Sequence, residues 1–454
     1  MRTKLLLTSI AISIANPTFA TDDIDLLKQQ LESLKQGYQD YEQRIQALED
    51  RLQKAEDASV KAAQVRPVEA PRTASSSQNS FNPAISLVLD GRYASFSREP
   101  EKYELPGFAL GGESGLGKEG ISLGHTELTA SANIDDKFYG QTTLAIHEHD
   151  GNTELELEEA FVQTLGLGNG LTIKAGRFFS AMGYLNEQHE HAWDFADAPL
   201  IYRSLFGNQL RDDGMQISYI APTDIFLQLG AEAFRGSRFP AGGESDGIGS
   251  WTAFANMGGD IGIEHSWLFG LSHWQANDID GRTSSGHSHG DEVVEIPSFS
   301  GESKISSLDL VYKWSPNGNP KNRNFKLQFE YFDRREDGTI TLLNSDPLEV
   351  TSYDGHQKGW YMQAVYQFMP HWRTGLRYDQ LDSNNSAADD DLLGEAGLDN
   401  EGHTPQRYSV MVEWLPSEFS RIRLQLNRDE SSETDNQFFL QYTYSLGSHT
   451  AHQF

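Results

Sequence analysis

Residues 435–454 read DNQFFLQYTYSLGSHTAHQF. From Phe438 an apolar or aromatic side chain falls at every second position: Phe438, Leu440, Tyr442, Tyr444, Leu446. A period of two sends these residues to one face of an extended strand and the polar residues between them to the other. Such a strand needs a hydrophobic medium on one side and water on the other.

The same alternation recurs upstream. In GWYMQAVYQF (359–368), Trp360, Met362, Ala364, Tyr366 and Phe368 share one face, and Gln363 and Gln367 the other. In SRIRLQLN (420–427), Ile422, Leu424 and Leu426 oppose Arg421, Arg423, Gln425 and Asn427. Sixteen such strands are predicted, near 84–96, 121–134, 138–149, 154–166, 171–179, 214–220, 225–235, 251–257, 266–276, 304–314, 324–335, 356–369, 371–382, 406–416, 420–430 and 435–447. Short connections (DDK, GLGNG, APTD, MPH, PSEF) alternate with longer ones at 97–120, 180–213, 236–250, 277–303, 336–355 and 383–405. An even strand number with alternating short turns and long loops predicts an all-β transmembrane barrel of about sixteen antiparallel strands. A soluble sandwich also alternates apolar and polar. It does not account for the loop asymmetry, the terminal aromatic strand and the N-terminus together.

That N-terminus, MRTKLLLTSIAISIANPTFA, places Arg2 and Lys4 before a short apolar run and ends in small residues. It reads as a secretory signal peptide over residues 1–20. Residues 21–56 follow a strict three-four spacing: Ile24, Leu27, Leu31, Leu34, Tyr38, Tyr41, Ile45, Leu48, Leu52, Ala55. This is the seam of an α-helical coiled coil, so self-association is expected through it. Residues 57–80 turn to Ala, Pro and Ser and read as a linker; the barrel is expected over 81–454.

Composition narrows the work. The 454 residues contain no cysteine, which excludes disulfides and thiolate chemistry. A formal charge of −30 argues against a nucleic-acid partner, whose phosphates call for Lys and Arg. A G-x-S-x-G match, GESDG at 243–247, lies in a polar loop and not at a strand-to-helix elbow, so an enzyme is not expected.

From Phe81 onward the chain resembles Gram-negative outer-membrane porins, broadly those related to phosphate-selective porins. The segment IKAGRFFSAMGYLN (173–186) looks like their strand leading into a long inward loop. The tail from Ser445, SLGSHTAHQF, resembles that of His-rich, zinc-associated outer-membrane proteins sometimes labelled TonB-dependent receptors. The final strand resembles the aromatic signal that such proteins present to the barrel assembly machinery. The resemblance implies a porin in the outer-membrane lipid, passing small hydrophilic solutes or ions. It also implies a homotrimer with its coiled coil in the periplasm. A TonB-dependent receptor, an anion-selective or phosphate-selective porin, and an envelope tether remain alternatives. A plug domain of the usual size is not visible between Ala20 and Phe81.

A barrel of this size leaves an aqueous channel, so function is expected where the lumen narrows. The 180–214 connection carries Glu187, His189, Glu190, His191, Asp194 and Asp197. In the porins it resembles, this loop folds inward. By strand parity Arg373, Arg377, Arg421 and Arg423 point inward across from it. Acids on the loop facing arginines on the wall would set a transverse field. Histidines recur in close pairs. His147 and His149 share a strand face, and a tight hairpin would bring Glu154 and Glu156 opposite them, a plausible site for transient Zn²⁺. His287 and His289 offer a further pair of ligands. No resident cofactor is required. Glu159 falls in phase with Leu155, Leu157 and Phe161, so strand four needs a bulge or a protected subunit interface.

Overall fold

The computed structural model describes residues 83–111, 114–149, 152–243, 247–284 and 296–447. The expected signal peptide, coiled coil and linker lie outside them, as does the tail after Gly447.

The described chain forms a single closed antiparallel sheet of seventeen segments. These are β1 (Ala84–Phe96), β2 (Gly120–Leu123), β3 (Thr126–Asn133), β4 (Phe138–His149), β5 (Asn152–Thr164), β6 (Leu171–Phe179), β7 (Arg211–Ile220), β8 (Phe226–Phe234) and β9 (Ser250–Ile261). They continue as β10 (His265–Thr283), β11 (Pro297–Trp314), β12 (Asn324–Leu342), β13 (Glu349–Met369), β14 (Trp372–Ala387), β15 (Gln406–Ser417), β16 (Ser420–Asp429) and β17 (Asp435–Gly447). β2 and β3 both pair with β1 and are two halves of one stave, broken at Gly124–His125. The wall is therefore a barrel of sixteen staves. It closes where β1 pairs with β17, from Ser86 opposite Gly447 to Phe96 opposite Gln437. The strand that opened the sequence reading is thus the closing seam. Closure removes every free sheet edge.

β10 to β13 are longer than expected, 18 to 21 residues each. Much of what reads as loop at 277–303 and 336–355 continues the ladder as extended hairpins. The sequence there is largely polar, with its inward apolar residues (Ile279, Phe299, Ile340, Leu342, Tyr353) too scattered to show an unbroken alternation.

The outer face is apolar. Leu310, Met362, Leu376, Val410, Val412, Leu424, Leu426, Leu440 and Tyr442 all lie exposed on it. Aromatic rows bracket this band. Trp372 stacks on Trp414 at the short-turn end. Further along, Phe329, Trp360, Tyr378 and Tyr408 form a chain of ring contacts from β12 to β15. Between the rows lie Leu376 on β14 and Val410 and Val412 on β15.

Inside, one half of the lumen is filled. A helix over Leu200–Phe206 has all seven residues buried, in keeping with its apolar sequence LIYRSLF. It stops at Gly207, whose left-handed backbone (φ 63°) suits glycine. Tyr202 packs edge-on against Phe332 at 5.3 Å, and Phe206 against the same ring at 5.4 Å. Ile201, Leu205, Tyr361 and Leu381 complete the contact. Each buried aliphatic side chain here contributes roughly 1.5–3 kcal/mol. The lumen is therefore not simply water-filled, as strand count alone had suggested. An apolar core lies against β10–β14, and loop segments 103–110 and 392–398 add to it.

Candidate functional site

The 180–210 loop lies in the barrel and is held by every side of the wall it reaches. Its first residues meet two buried carboxylates. Glu232 on β8 accepts from the Ser180 hydroxyl and, at 2.9 Å, from the Ala181 N–H. Glu330 on β12 accepts from the N–H groups of Tyr184 and Leu185 at 3.0 and 3.1 Å, and from the Tyr202 hydroxyl at 2.7 Å. The loop passes so close to Glu330 that residue 183 must be glycine. A Cβ there would sit 2.6 Å from the carboxylate and from the Tyr202 hydroxyl, and φ is +78°.

The next contacts form an arginine clamp. Asp194 pairs with Lys326 at 3.0 Å and Arg373 at 3.3 Å. Asp197 pairs with Arg377 at 2.7 Å and Arg407 at 2.9 Å. Arg373 and Arg423 both reach Glu413, at 2.5 and 2.7 Å. Arg423 and Arg421 donate to the Trp193 carbonyl at 2.7 and 3.3 Å. Burial pushes the Asp194 and Asp197 carboxyls up. The surrounding cations, chiefly Lys326 and Arg373 for the first and Arg377 and Arg407 for the second, outweigh it and hold both well below the usual carboxylate range.

This corrects the expected transverse field. Acids and arginines do not face one another across open water. They are joined in buried ion pairs that fix the loop to β12 and β14–β16. All four predicted arginines touch the loop. Arg407, Lys326 and Glu413 complete the set and were not anticipated, though each has inward parity on a strand whose phase was readable.

On the opposite wall the loop meets a group of imidazoles and carboxylates. His191 Nδ1 lies 2.8 Å from Glu127 Oε1, and His189 Nδ1 lies 3.0 Å from Glu127 Oε2. His189 Nε2 lies 3.0 Å from Glu159. His125 Nε2 lies 2.9 Å from Glu158 and 3.5 Å from Glu127, and its Nδ1 is 3.8 Å from Glu190. The His189 and His191 rings stack at 5.6 Å. Arg211 neutralises Glu158 from β7 at 3.1 Å. Burial disfavours charge on His189, but Glu127 beside it raises its proton affinity well above the usual value; for His191 burial wins, and its affinity falls.

Local sequence explains this assembly. Thr143 pairs with Glu159 while Leu144 pairs with Leu157, so Glu158 is an extra residue, a β-bulge. The bulge turns both Glu158 and Glu159 inward, 1% and 7% exposed, while Leu155 and Val162 stay outside. Of the two ways to accommodate Glu159, the bulge is the one present. His125 sits in the break between β2 and β3, where the ladder does not constrain it.

The other expected metal ligands are not brought together among the described side chains. The ladder pairs His147 with Glu154 and His149 with Asn152, but the histidine side chains lie outside the described residues. Glu156 is taken by Arg211 and by Arg238 at 2.9 Å. His287 and His289, like residues 244–246 of GESDG, lie outside the described residues. Glu187 remains exposed, and Glu190 is part-exposed. The residues missed were Glu127, Glu158 and His125. Their signals were an acid on the inward face of β3, an EE doublet that breaks a clean alternation, and a lone histidine two residues before Glu127.

No protein-family model matches the chain. It is 32% identical over 410 residues to an uncharacterized protein of Aquifex aeolicus (strain VF5), covering 83% of this chain and 81% of that one, and it belongs to the same family. Among solved structures, a loop-L8 deletion mutant of the Vibrio cholerae outer-membrane protein OmpT aligns with 80% of this chain and 99% of its own, at 10% identity and a TM-score of 0.49. The outer-membrane channel DcaP of Acinetobacter baumannii aligns with 80% and 96%, at 14% identity and a TM-score of 0.46. An anion-selective porin from Comamonas acidovorans aligns with 80% and 99%, at 10% identity and 0.46.

Proposed function

We propose that this protein is an outer-membrane channel that passes small hydrophilic solutes through a lumen narrowed by the 180–210 loop, without chemistry of its own. The observation that carries this reading is the combination of a closed barrel whose outer face is apolar between aromatic rows with a charged loop fixed across its interior. An apolar belt with aromatic girdles fits a bilayer and not water. A loop secured to opposite walls sets a lasting constriction.

The favoured solute in this reading is a small cation. Arg373, Arg377, Arg407 and Arg423 are consumed by Asp194, Asp197 and Glu413, whereas Glu187 and Glu190 keep exposed surface. Association into a homotrimer through residues 21–56 belongs to the same proposal and is supported by the heptad spacing. Purified protein in a planar bilayer should give discrete conductance steps, with a reversal potential toward cations under a salt gradient. Silence in the bilayer overturns the channel reading. A clear anion preference replaces it with an anion-selective one.

A further inference from the structure

Glu127 presents an unusual electrostatic problem. Its side chain is 1% exposed, and the groups within ion-pair distance among the described residues are three imidazoles: His125, His189 and His191. Arginine and lysine answer Asp194 and Asp197, and N–H and hydroxyl donors answer Glu232 and Glu330, whereas Glu127 is met by imidazoles. A buried carboxylate needs hydrogen-bond donors or a positive partner. Imidazoles can supply one by binding protons, or by sharing a metal cation with the carboxylate.

The geometry favours the cation. The ligand atoms of Glu127, His189 and His191 lie within 4.8 Å of one another. A tetrahedral site with arms of 2.0–2.2 Å separates its donors by ~3.4 Å, and the observed contacts of 2.8 and 3.0 Å to the two oxygens of Glu127 lie just inside that spacing. Several atoms at the centre approach without making hydrogen bonds. His189 Nδ1 and Glu158 Oε2 are both buried, lie 3.6 Å apart, and have no hydrogen-bond partner among the described residues. Glu158 itself is 1% exposed. The far nitrogen of His189 faces Glu159 at 3.0 Å. A carboxylate in that position holds the proton on Nε2 and frees Nδ1 to ligate, the usual support behind a metal-binding histidine. Imidazole with carboxylate suits a divalent first-row transition metal better than a magnesium or calcium ion.

We propose that Glu127, His189 and His191 bind one divalent first-row transition-metal ion, with Glu159 orienting His189 and Glu158 facing the same centre. Two ligands come from the loop and one from β3, so the ion ties the loop to the wall. Whether the barrel conducts has no bearing on this site.

The test uses the full chain, purified and folded in detergent, dialysed against Zn²⁺ buffered at low micromolar free concentration, with bound metal counted by mass spectrometry. One ion per chain is expected. His189→Ala with His191→Ala should remove it, and Glu159→Gln should weaken it at least tenfold. The pair His147→Ala with His149→Ala should leave it intact. Heat-modifiable migration on gels checks that each barrel is folded; if the alanine pair fails that check, His189→Gln alone is read instead. Co²⁺ in place of zinc should give visible absorption that His191→Ala abolishes. Absence of stoichiometric zinc in the folded wild type overturns the proposal. So does zinc that survives loss of both loop histidines. Because binding is counted without a bilayer, a silent channel with bound zinc, or a conducting one without it, separates this site from the channel reading.

Discussion

Arg377 and Asp197 meet at 2.7 Å with both side chains 1% exposed, one on the wall at β14 and the other on the inward loop. Arg377 also reaches Asp379 at 3.1 Å and the Asp197 carbonyl at 2.8 Å. Its guanidinium thus spends its donors within the protein. Such a pair specifies where the loop sits. Its net contribution to stability is small while it is whole and large when half of it is removed.

Asp197→Asn should therefore loosen the loop. It leaves Arg377 and Arg407 to share Asp379 as a buried counter-charge, at a cost of up to about 3–5 kcal/mol. Single-channel current should rise and become noisier, while the far-ultraviolet spectrum of the barrel is kept. A current indistinguishable from wild type would mean that the clamp does not set the constriction.

The clamp should resist acid. Asp194 and Asp197 have folded-state affinities for protons below those of the unfolded chain, so the stabilisation they give is complete above the unfolded value of about 4. It is lost only as pH falls further, through the folded values. Lowering pH from 7 to 4.5 should leave the open-channel current free of the noise seen in Asp197→Asn. Noise that sets in by pH 4.5 would show that these aspartates are not held below the ordinary carboxylate range.

Ile201 on the buried helix offers a test of the apolar half of the lumen. Ile201→Ala should cost about 2–5 kcal/mol through lost contacts and the cavity left behind. The staves do not depend on this residue for their ladder. The expected sign is faster proteolysis within 180–210 at unchanged barrel content. Unchanged proteolysis would place the loop's stability in the ion pairs alone.

Charge selectivity should respond to Glu187, the exposed acid of the loop. Glu187→Gln should move the reversal potential toward zero at low salt, and less so at physiological salt, where screening acts within ~8 Å. No shift at low salt would remove Glu187 from the ion path.

The barrel was legible because a two-residue period is a strong signal wherever one face meets an apolar medium. Fifteen of the sixteen predicted staves match continuous strands, and the remaining one is broken at Gly124–His125. The signal faded in β10–β13 beyond the apolar belt, where the outward side chains are polar and the inward apolar ones, such as Ile279, Phe299 and Ile340, are interspersed with buried Arg282 and Glu336. The loop's role was readable from its length and charge. Its contacts were not. Parity shows that Arg377 points inward, but it cannot say that Asp197, 180 residues away, will meet it. The cluster around Glu127 was hidden for a related reason. Pairs such as His147/His149 are close in sequence, whereas Glu127, His189 and His191 come from a strand and a loop that only the closed barrel brings together.

The extra residue at Glu158 makes β5 a strand with two reading frames. From Glu154 to Glu158 the even positions face the lumen; from Glu159 onward the odd ones do. Removing that one residue would not shorten the strand so much as invert one end of it. Either Leu155 and Leu157 would turn into water with Glu156 toward the outer face, or Phe161 and Gln163 would exchange sides with Val162. A lineage could replace Glu158 by many residues and keep the barrel. It could not delete the position without re-facing half a stave, so length here is more constrained than identity.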